Sequence, residues 1–287
     1  MSAKVKKKRP TSLSNGRPPS VQKPKASLSS KATRTLIQSH HRLHKALADA
    51  ERDGNSERAI SLRHQIEQLG GLKSYQQASI QGQSSERGGD TSRVLLQWFP
   101  EALTKGDARF RMLEVGALSV NNACSKSGMF DMTRIDLNSQ APGIQQQDFM
   151  DRPLPGSEED RFDIVSLSLV LNYVPNASGR GDMLRRICQF LRAQPVSNEA
   201  RKQEEMFPSV FLVLPAPCIT NSRYLNEDHF QEIMTSLGFT LVKRKLSTKL
   251  MYYLWRLHAG SVSTKRRFEK REVNPGKTRN NFCVTLE

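Results

Sequence analysis

An α/β fold is predicted for this chain of 287 residues: a Rossmann-like, doubly wound sheet with an antiparallel edge hairpin, preceded by a helical N-terminal extension. Three observations carry the prediction. From Phe110 onward, short apolar runs of the buried-strand type alternate with helical segments. The first run, Arg111-Met-Leu-Glu-Val115, ends at Gly116, and the second, Phe130-Asp-Met-Thr-Arg-Ile-Asp136, ends in an acid 20 residues beyond that glycine, which suits one strand–helix–strand step. Two strands, 239–246 and 249–257, follow each other without a helix between them and so pair antiparallel at a sheet edge.

Taken in order, residues 1–30 are rich in Lys, Pro and Ser and too poor in apolar side chains to offset the entropy of ordering, so a disordered basic tail is expected there. A helical extension is expected over 31–104. In it Leu36, Ile37, His40, Leu43, His44 and Leu47 recur on one helical face, Asp53-Gly-Asn-Ser56 interrupts, and Ile60, Leu62, Ile66 and Leu69 resume before Gly70-Gly71, which reads as a helical hairpin. Residues 71–100 are a polar, glycine-rich connection, and an apolar helix from Arg93 to Leu103 precedes the sheet domain at 105–287. There the expected order is strand 110–115, a polar segment 117–128, strand 131–136, a brief strand near 143–147, strand 162–168, helix 180–193, strand 207–214, helix 227–237, the hairpin, and a last strand Asn281–Leu286 after a basic loop.

Charge is unevenly placed. The formal net charge is +16, residues 1–45 hold twelve Lys or Arg and no acid, residues 260–287 hold seven basic against three acidic, and the middle is neutral. A neutral fold with basic ends points to a polyanion, nucleic acid first, because Lys and Arg on such arms release counterions from phosphate; a solvated tail has the same composition. A membrane surface is disfavoured, since no apolar face accompanies the N-terminal charges, and no apolar run approaches the roughly 20 residues of a membrane helix. Lys4-Val-Lys-Lys-Lys-Arg-Pro10 is a compact run of the nuclear-import kind. The four cysteines, 124, 188, 218 and 283, form no close pair, so neither a zinc site nor a disulfide framework is expected. His40 and His44 share a helical face, but no carboxylate or further histidine accompanies them at a known metal-site spacing, and no metal is expected.

Four strand ends should converge on one cleft. At the first, Gly116 turns the backbone without a Cβ in a ligand's path; at the second, Asp136 offers a carboxylate to a ribose diol. Leu118 and Val120 stand where a dinucleotide loop would carry its further glycines, so close approach to a pyrophosphate is unsupported, and S-adenosylmethionine, which has none, fits better than NAD. An ordinary strand ending in glycine, followed by a surface acid, would look alike. Asp148 is a candidate acceptor for the adenine amino group and Phe149 for packing on the ring, the alternatives being a loop acid and a core aromatic. After the fourth strand, Leu171-Asn-Tyr-Val-Pro175 occupies the place where amino-directed methyltransferases carry a polar–aromatic–proline segment, here in the order N-Y-V-P and not N-P-P-Y. Asn172 can accept from a base amino group and Tyr173 can stack on its face; a simple strand-to-helix turn is the alternative. The edge hairpin also favours the methyltransferase version of this architecture over dehydrogenases. Asn274-Pro-Gly-Lys-Thr278 fails as a phosphate loop, because Arg271 stands where its first glycine belongs.

Several segments in order, L-E-V-G-A-L-S-x-N-N, R-I-D-L-N, Q-Q-D-F-M-D-R-P-L-P, F-D-I-V-S-L-S-L-V-L-N-Y-V-P, F-L-V-L-P-A-P-C and K-L-x-Y-Y-L-W-R, with G-L-x-x-Y-Q-x-A-S at 71–79, resemble the fungal large-subunit (25S) ribosomal RNA adenine-N1 methyltransferase family, from about residue 71 to the end. The resemblance implies a class I S-adenosylmethionine-dependent enzyme of the nucleus and nucleolus. It implies methylation of N1 of one adenosine in large-subunit rRNA or a pre-ribosomal particle, with Gly116 and Asp136 at cofactor positions. A monomer is expected. Two rivals are a cofactor sensor without methyl transfer, which needs no basic arms, and an assembly factor with a vestigial pocket.

Overall fold

The computed structural model describes residues 30–71, 74, 77, 89–104, 109–139, 141–193, 206–258 and 266–287. The tail expected over 1–30 lies, up to residue 29, outside them, as does most of the 71–79 segment. Helices α1 (Ser30–Arg52) and α2 (Ser56–Gln68) form the anticipated hairpin. Asn55 ends the break between them by accepting from Arg58 N through its side chain at 3.0 Å, an ordinary N-cap. Leu43, Ala50, Ala59 and Leu62 make its small core.

The helix expected from Arg93 to Leu103 is two helices, α3 (Ser92–Trp98) and α4 (Glu101–Thr104). Pro100 is the cause: it pushes Phe99 into an extended conformation (φ −78°, ψ 137°). Leu95, Phe99 and Leu103 pack into the same core as Phe110 and Met112 of the first strand.

Seven strands follow: β1 (Phe110–Val115), β2 (Phe130–Asp136), β3 (Gln145–Gln146), β4 (Ile164–Ser168), β5 (Ser209–Pro215), β6 (Phe239–Leu246) and β7 (Leu250–Leu257). Their order is β3-β2-β1-β4-β5-β7-β6. All neighbours are parallel except β7, which runs against both β5 and β6. This is the sheet with an antiparallel edge pair that the sequence predicts. Val115 lies beside Ile135 and Leu167, and Ser168 beside Val213, so the carboxyl ends of β1, β2, β4 and β5 line up at one end of the sheet.

Strand residues alternate between two cores, as a sheet buried on both faces requires. Leu113, Val165 and Leu212 face α6 (Ala177–Phe190) and α8 (Glu227–Ser236), whereas Met112, Ile164 and Phe211 face α3. Helix α6 begins at Asn176, whose side chain accepts from Gly179 N at 2.7 Å, and buries Met183, Leu184, Ile187 and Phe190. Buried Asp163 ties three elements together: it accepts from Arg111 N at 2.7 Å and from Arg192 at 2.9 Å. The polar segment 117–128 contains a single helical turn, α5 (Ala123–Lys126), and α7 (Pro217–Thr220) is equally short.

The last strand expected over Asn281–Leu286 is not one. Only an isolated bridge, Phe268 to Leu286, has strand geometry there, and the segment is an extended strap lying across the start of α6. Its alternating apolar residues Phe282, Val284 and Leu286 are buried, which gives a strand-like pattern without a neighbouring strand. Thr285 N donates to Ala177 O at 3.1 Å, and Arg180 donates to Cys283 O at 2.6 Å while its guanidinium sits 4.4 Å from the Phe282 ring centre. The strap runs so close to α6 that a Cβ on Gly181 would stand 1.9 Å from Thr285 O. Gly181→Ala is therefore expected to lower stability by about 1–3 kcal/mol through overpacking. Urea unfolding checks this, and an unchanged midpoint would mean that the strap does not press on α6.

Candidate active site

The site begins at the turn after β1. Gly116 has φ +74°, a conformation that L side chains rarely adopt, and a Cβ there would meet Val170 Cγ2 at 2.5 Å. Both constraints call for glycine. Gly116 N and Ala117 N donate to Ile135 O at 2.9 and 3.1 Å, so the turn is fastened to the end of β2 and these two amides are already used.

A polar network closes the loop beyond it. Glu114 accepts with both carboxylate oxygens from Asn122 Nδ2, at 2.8 and 2.9 Å. Asn122 caps α5 by accepting from Ser125 N and Oγ, each at 2.8 Å, and Arg134 of β2 donates to Ser125 Oγ at 2.8 Å. Asp90 reaches in from outside the sheet, accepting from Ala123 N and from Ser92 N at 2.9 Å. The neighbouring Thr91 and Ser168 hydroxyls lie 2.8 Å apart, at the end of β4. Asp90 and Thr91 fall in the stretch that reads as a polar connection; Asp-Thr-Ser92 ahead of an apolar run is a helix-start signal, and that was the available clue.

At the end of β2, half-buried Asp136 accepts from Asn138 N at 2.8 Å, so a local turn holds its carboxylate at the strand end. Asp148 is exposed and accepts from Met150 N at 2.8 Å. Phe149 is 2% exposed, with its ring 5.2 Å from that of Phe190 on α6. That is the core-aromatic placement, and it offers no ring face to an adenine in this conformation.

After β4 the chain bends at Leu169, which has φ +61° and is the one non-glycine residue with positive φ among the described residues. Leu169 then packs with one core, and Val170 and Leu171 with the other. Half-buried Asn172 and Tyr173 follow, Tyr173 N donating to Val170 O at 2.8 Å. Asn172 Oδ1 is buried with no hydrogen-bond partner among the described residues. Such an acceptor costs free energy unless something donates to it. Pro175 O accepts from Arg180 at 3.3 Å, which links this segment to the C-terminal strap. The structure thus brings Gly116, Asp136, Asn172 and Tyr173 to one end of the sheet, adds Glu114 and Asp90 beneath the first loop, and sends Phe149 into the core. Among the described residues no group of three or more His, Cys, Asp or Glu side chains could hold a metal ion.

A family model described as 25S rRNA (adenine(2142)-N(1))-methyltransferase, Bmt2, matches residues 60–284. The chain belongs to the Bmt2 family. It is 39% identical over 224 residues to the 25S rRNA (adenine(2142)-N(1))-methyltransferase of Saccharomyces cerevisiae, a match covering 78% of this chain and 62% of that protein. Against the 25S rRNA adenine-N(1) methyltransferase of Schizosaccharomyces pombe it is 38% identical over 233 residues, covering 79% of this chain and 81% of that protein. Among solved structures, the O-methyltransferase NcsB1 of neocarzinostatin biosynthesis, in complex with S-adenosyl-L-homocysteine, is similar at a TM-score of 0.47 and 11% identity, over 77% of this chain and 70% of that one.

In this Bmt2-family chain the most perturbed carboxylate of the site is Glu114. Burial pushes its pKa up to about 7, against the pull of Asn122's hydrogen bonds and the Arg134 charge, and with help from nearby Asp90. The folded state therefore holds this proton more tightly than the unfolded chain, folding takes a proton up between about pH 4.5 and 7, and stability falls as pH rises through that window. Glu114→Gln keeps an acceptor for Asn122 and removes the charge. Its stability relative to the parent is expected to rise across the window by up to about 1.4 kcal/mol per pH unit. Denaturant titrations at pH 5, 6 and 7 measure this, and parallel profiles for the two proteins would show that Glu114 is ionised throughout.

Proposed function

We propose that the protein is an S-adenosylmethionine-dependent methyltransferase that modifies N1 of an adenosine in large-subunit (25S) rRNA during ribosome biogenesis. The observation that carries the reading is the family match over residues 60–284, which spans every strand end of the site. The same reading makes the pre-ribosomal particle or its RNA the partner, the nucleolus the place of action, and a monomer the acting form; the Lys4–Pro10 basic run supports nuclear import.

The residues present fit the cofactor. Asp136, half-buried at the end of β2, would accept from ribose hydroxyls, the turn at Gly116 carries no side chain, and exposed Asp148 would accept from the adenine amino group. S-adenosylmethionine, when bound, supplies an electrophilic methyl group on a sulfonium. The chain's own task is positioning. Asn172 Oδ1, buried and unpartnered, would accept from the exocyclic amine of the target adenine, and Tyr173 would stack on the ring, turning the Watson–Crick edge and N1 toward the methyl. The N1 lone pair lies in the ring plane and is nucleophilic without losing a proton, so this assignment needs no general base.

With isotopically labelled S-adenosylmethionine and unmodified large-subunit RNA, label is expected in 1-methyladenosine on nucleoside mass spectrometry. Cofactor binding without any labelled nucleoside would instead favour the sensor or the vestigial-pocket reading. Asp136→Ala is expected to weaken cofactor affinity at least tenfold, the scale of a lost charge-assisted hydrogen bond, while the unfolding midpoint barely moves. Calorimetric affinity equal to the parent's would remove Asp136 from the site. Asn172→Ala should lower methyl transfer by about 10- to 100-fold, as loss of a base-orienting hydrogen bond does, and leave cofactor affinity intact; a variant with full activity would clear Asn172 of that role.

A further inference from the structure

The carboxyl end of the sheet carries a second feature beside the cleft. β6 and β5 both run against β7, so the carboxyl end of β6 and the turn after it lie at the same end of the sheet as Asn172. Lys249 in that turn accepts from Ala216 N through its carbonyl at 2.8 Å, which docks the turn on the residues that follow β5. Lys243 and Lys245 stand opposite Leu254 and Tyr252 of β7 and so share one face of the hairpin. From the other direction, loop 273–280 is tied to the next residues of the same connection. Asn280 donates to Pro217 O at 2.7 Å, Arg223 donates to Gly276 O at 2.9 Å, and Asn274 donates to Ser222 O at 3.0 Å. This loop carries Lys277. The two loops thus clasp one turn, and that turn leaves the strand whose Val213 O accepts from Leu169 N, at the base of the Asn172 segment.

Arg244 is neutralised by Glu227 at 2.5 Å. Lys243, Lys245, Lys249 and Lys277 are all exposed, and none has a carboxylate partner among the described residues. Protection of an edge strand accounts for lysines on β6, but Lys249 and Lys277 lie in turns with no edge to protect. We propose that these four lysines form a phosphate-binding rim that grips the RNA backbone flanking the target adenosine, which rests on the RNA-substrate reading above. The basic ends of the chain would attract RNA generally, and the rim would seat it beside the cleft.

The test uses the full chain, a fluorescent single-stranded oligoribonucleotide and a salt series. Replacing all four lysines with glutamine should reduce the slope of log K against log salt by about 3, since each single-strand phosphate contact contributes about 0.7, and weaken binding about tenfold or more at 0.15 M salt. The turn-only pair, Lys249→Gln with Lys277→Gln, leaves the edge strand untouched and should show about half the change in slope. A matched variant, with Arg58, Arg93, Arg109 and Lys126 changed to glutamine, should move the slope by less than one. Cofactor affinity should equal the parent's in all of them. If the parent binds RNA with a steep slope and the rim variants keep it, or if the matched variant loses as much, the rim is overturned while the methyltransferase reading stands. A parent that binds the cofactor but not the oligoribonucleotide overturns the rim, and the labelled-nucleoside measurement alone then decides the methyltransferase reading.

Discussion

The close contact between Gly116 and Val170 is the constraint on which the site depends. It joins the turn after β1 to the turn after β4, the two places where the chain leaves the sheet at its ligand end. Both turns use positive φ, Gly116 at +74° without strain and Leu169 at +61° with it. A leucine in that region carries a cost of about 1–3 kcal/mol. The neighbouring burial offsets it, since Leu171 is fully buried and Leu169 and Val170 pack into cores on opposite faces of the sheet, each fully buried aliphatic side chain contributing about 1.5–3 kcal/mol. The bend lets Leu169 serve one core and Val170 and Leu171 the other, and half-buried Asn172 and Tyr173 follow directly.

Two braces hold that arrangement from outside. Beneath the β1 loop, the short α5 is pinned by Asp90, Asn122 and Glu114, and this short turn occupies the place where a doubly wound fold carries a full crossover helix. Side-chain hydrogen bonds replace helix length, which explains why so many polar groups are gathered there and why burial perturbs Glu114. On the far side, Arg180 spans from Pro175 O to Cys283 O. Its own environment is largely apolar, and burial pulls its pKa down to about 10, still a cation at neutral pH. A buried guanidinium that donates to two carbonyls and stacks on Phe282 transmits the position of the C-terminal strap to the Asn172 segment.

Legibility in the sequence followed the range of the interactions. β1, β2, β4 and the edge hairpin were readable because their apolar runs are local, and the Gly116–Asp136 spacing was readable because one crossover separates them. The apolar period continues through Pro100 and so reads as one helix, although the proline itself is a local signal for the break. The strap at 281–286 reads as a strand because alternation reports burial on one side and says nothing about the neighbour, here a helix approached through Gly181. Phe149 had equal claims as ligand contact and core ring; only the position of Phe190, 41 residues further along the chain, separates them. Asp90 carries only a helix-start signal in the sequence, because its site partners, Ala123 and the network around Glu114, come from distant parts of the chain.

A site that works by positioning distributes its requirements differently from one that works by proton transfer. A general base would concentrate the chemistry in one titratable side chain, and a strongly shifted pKa beside the substrate would mark it. Here the segment that would face the base, 168–175, contains no titratable group except Tyr173, while the perturbed carboxylate, Glu114, is occupied in shaping a loop. The information that selects a ring nitrogen would then reside in backbone geometry: the bend at Leu169, the fit of Val170 against Gly116, and the hold of Arg180 on Pro175. Each is a packing or hydrogen-bonding relation between segments far apart in the chain, so substitutions that leave Asn172 and Tyr173 untouched can still displace them, and a misplacement of about 1 Å is enough to reduce rate about a hundredfold.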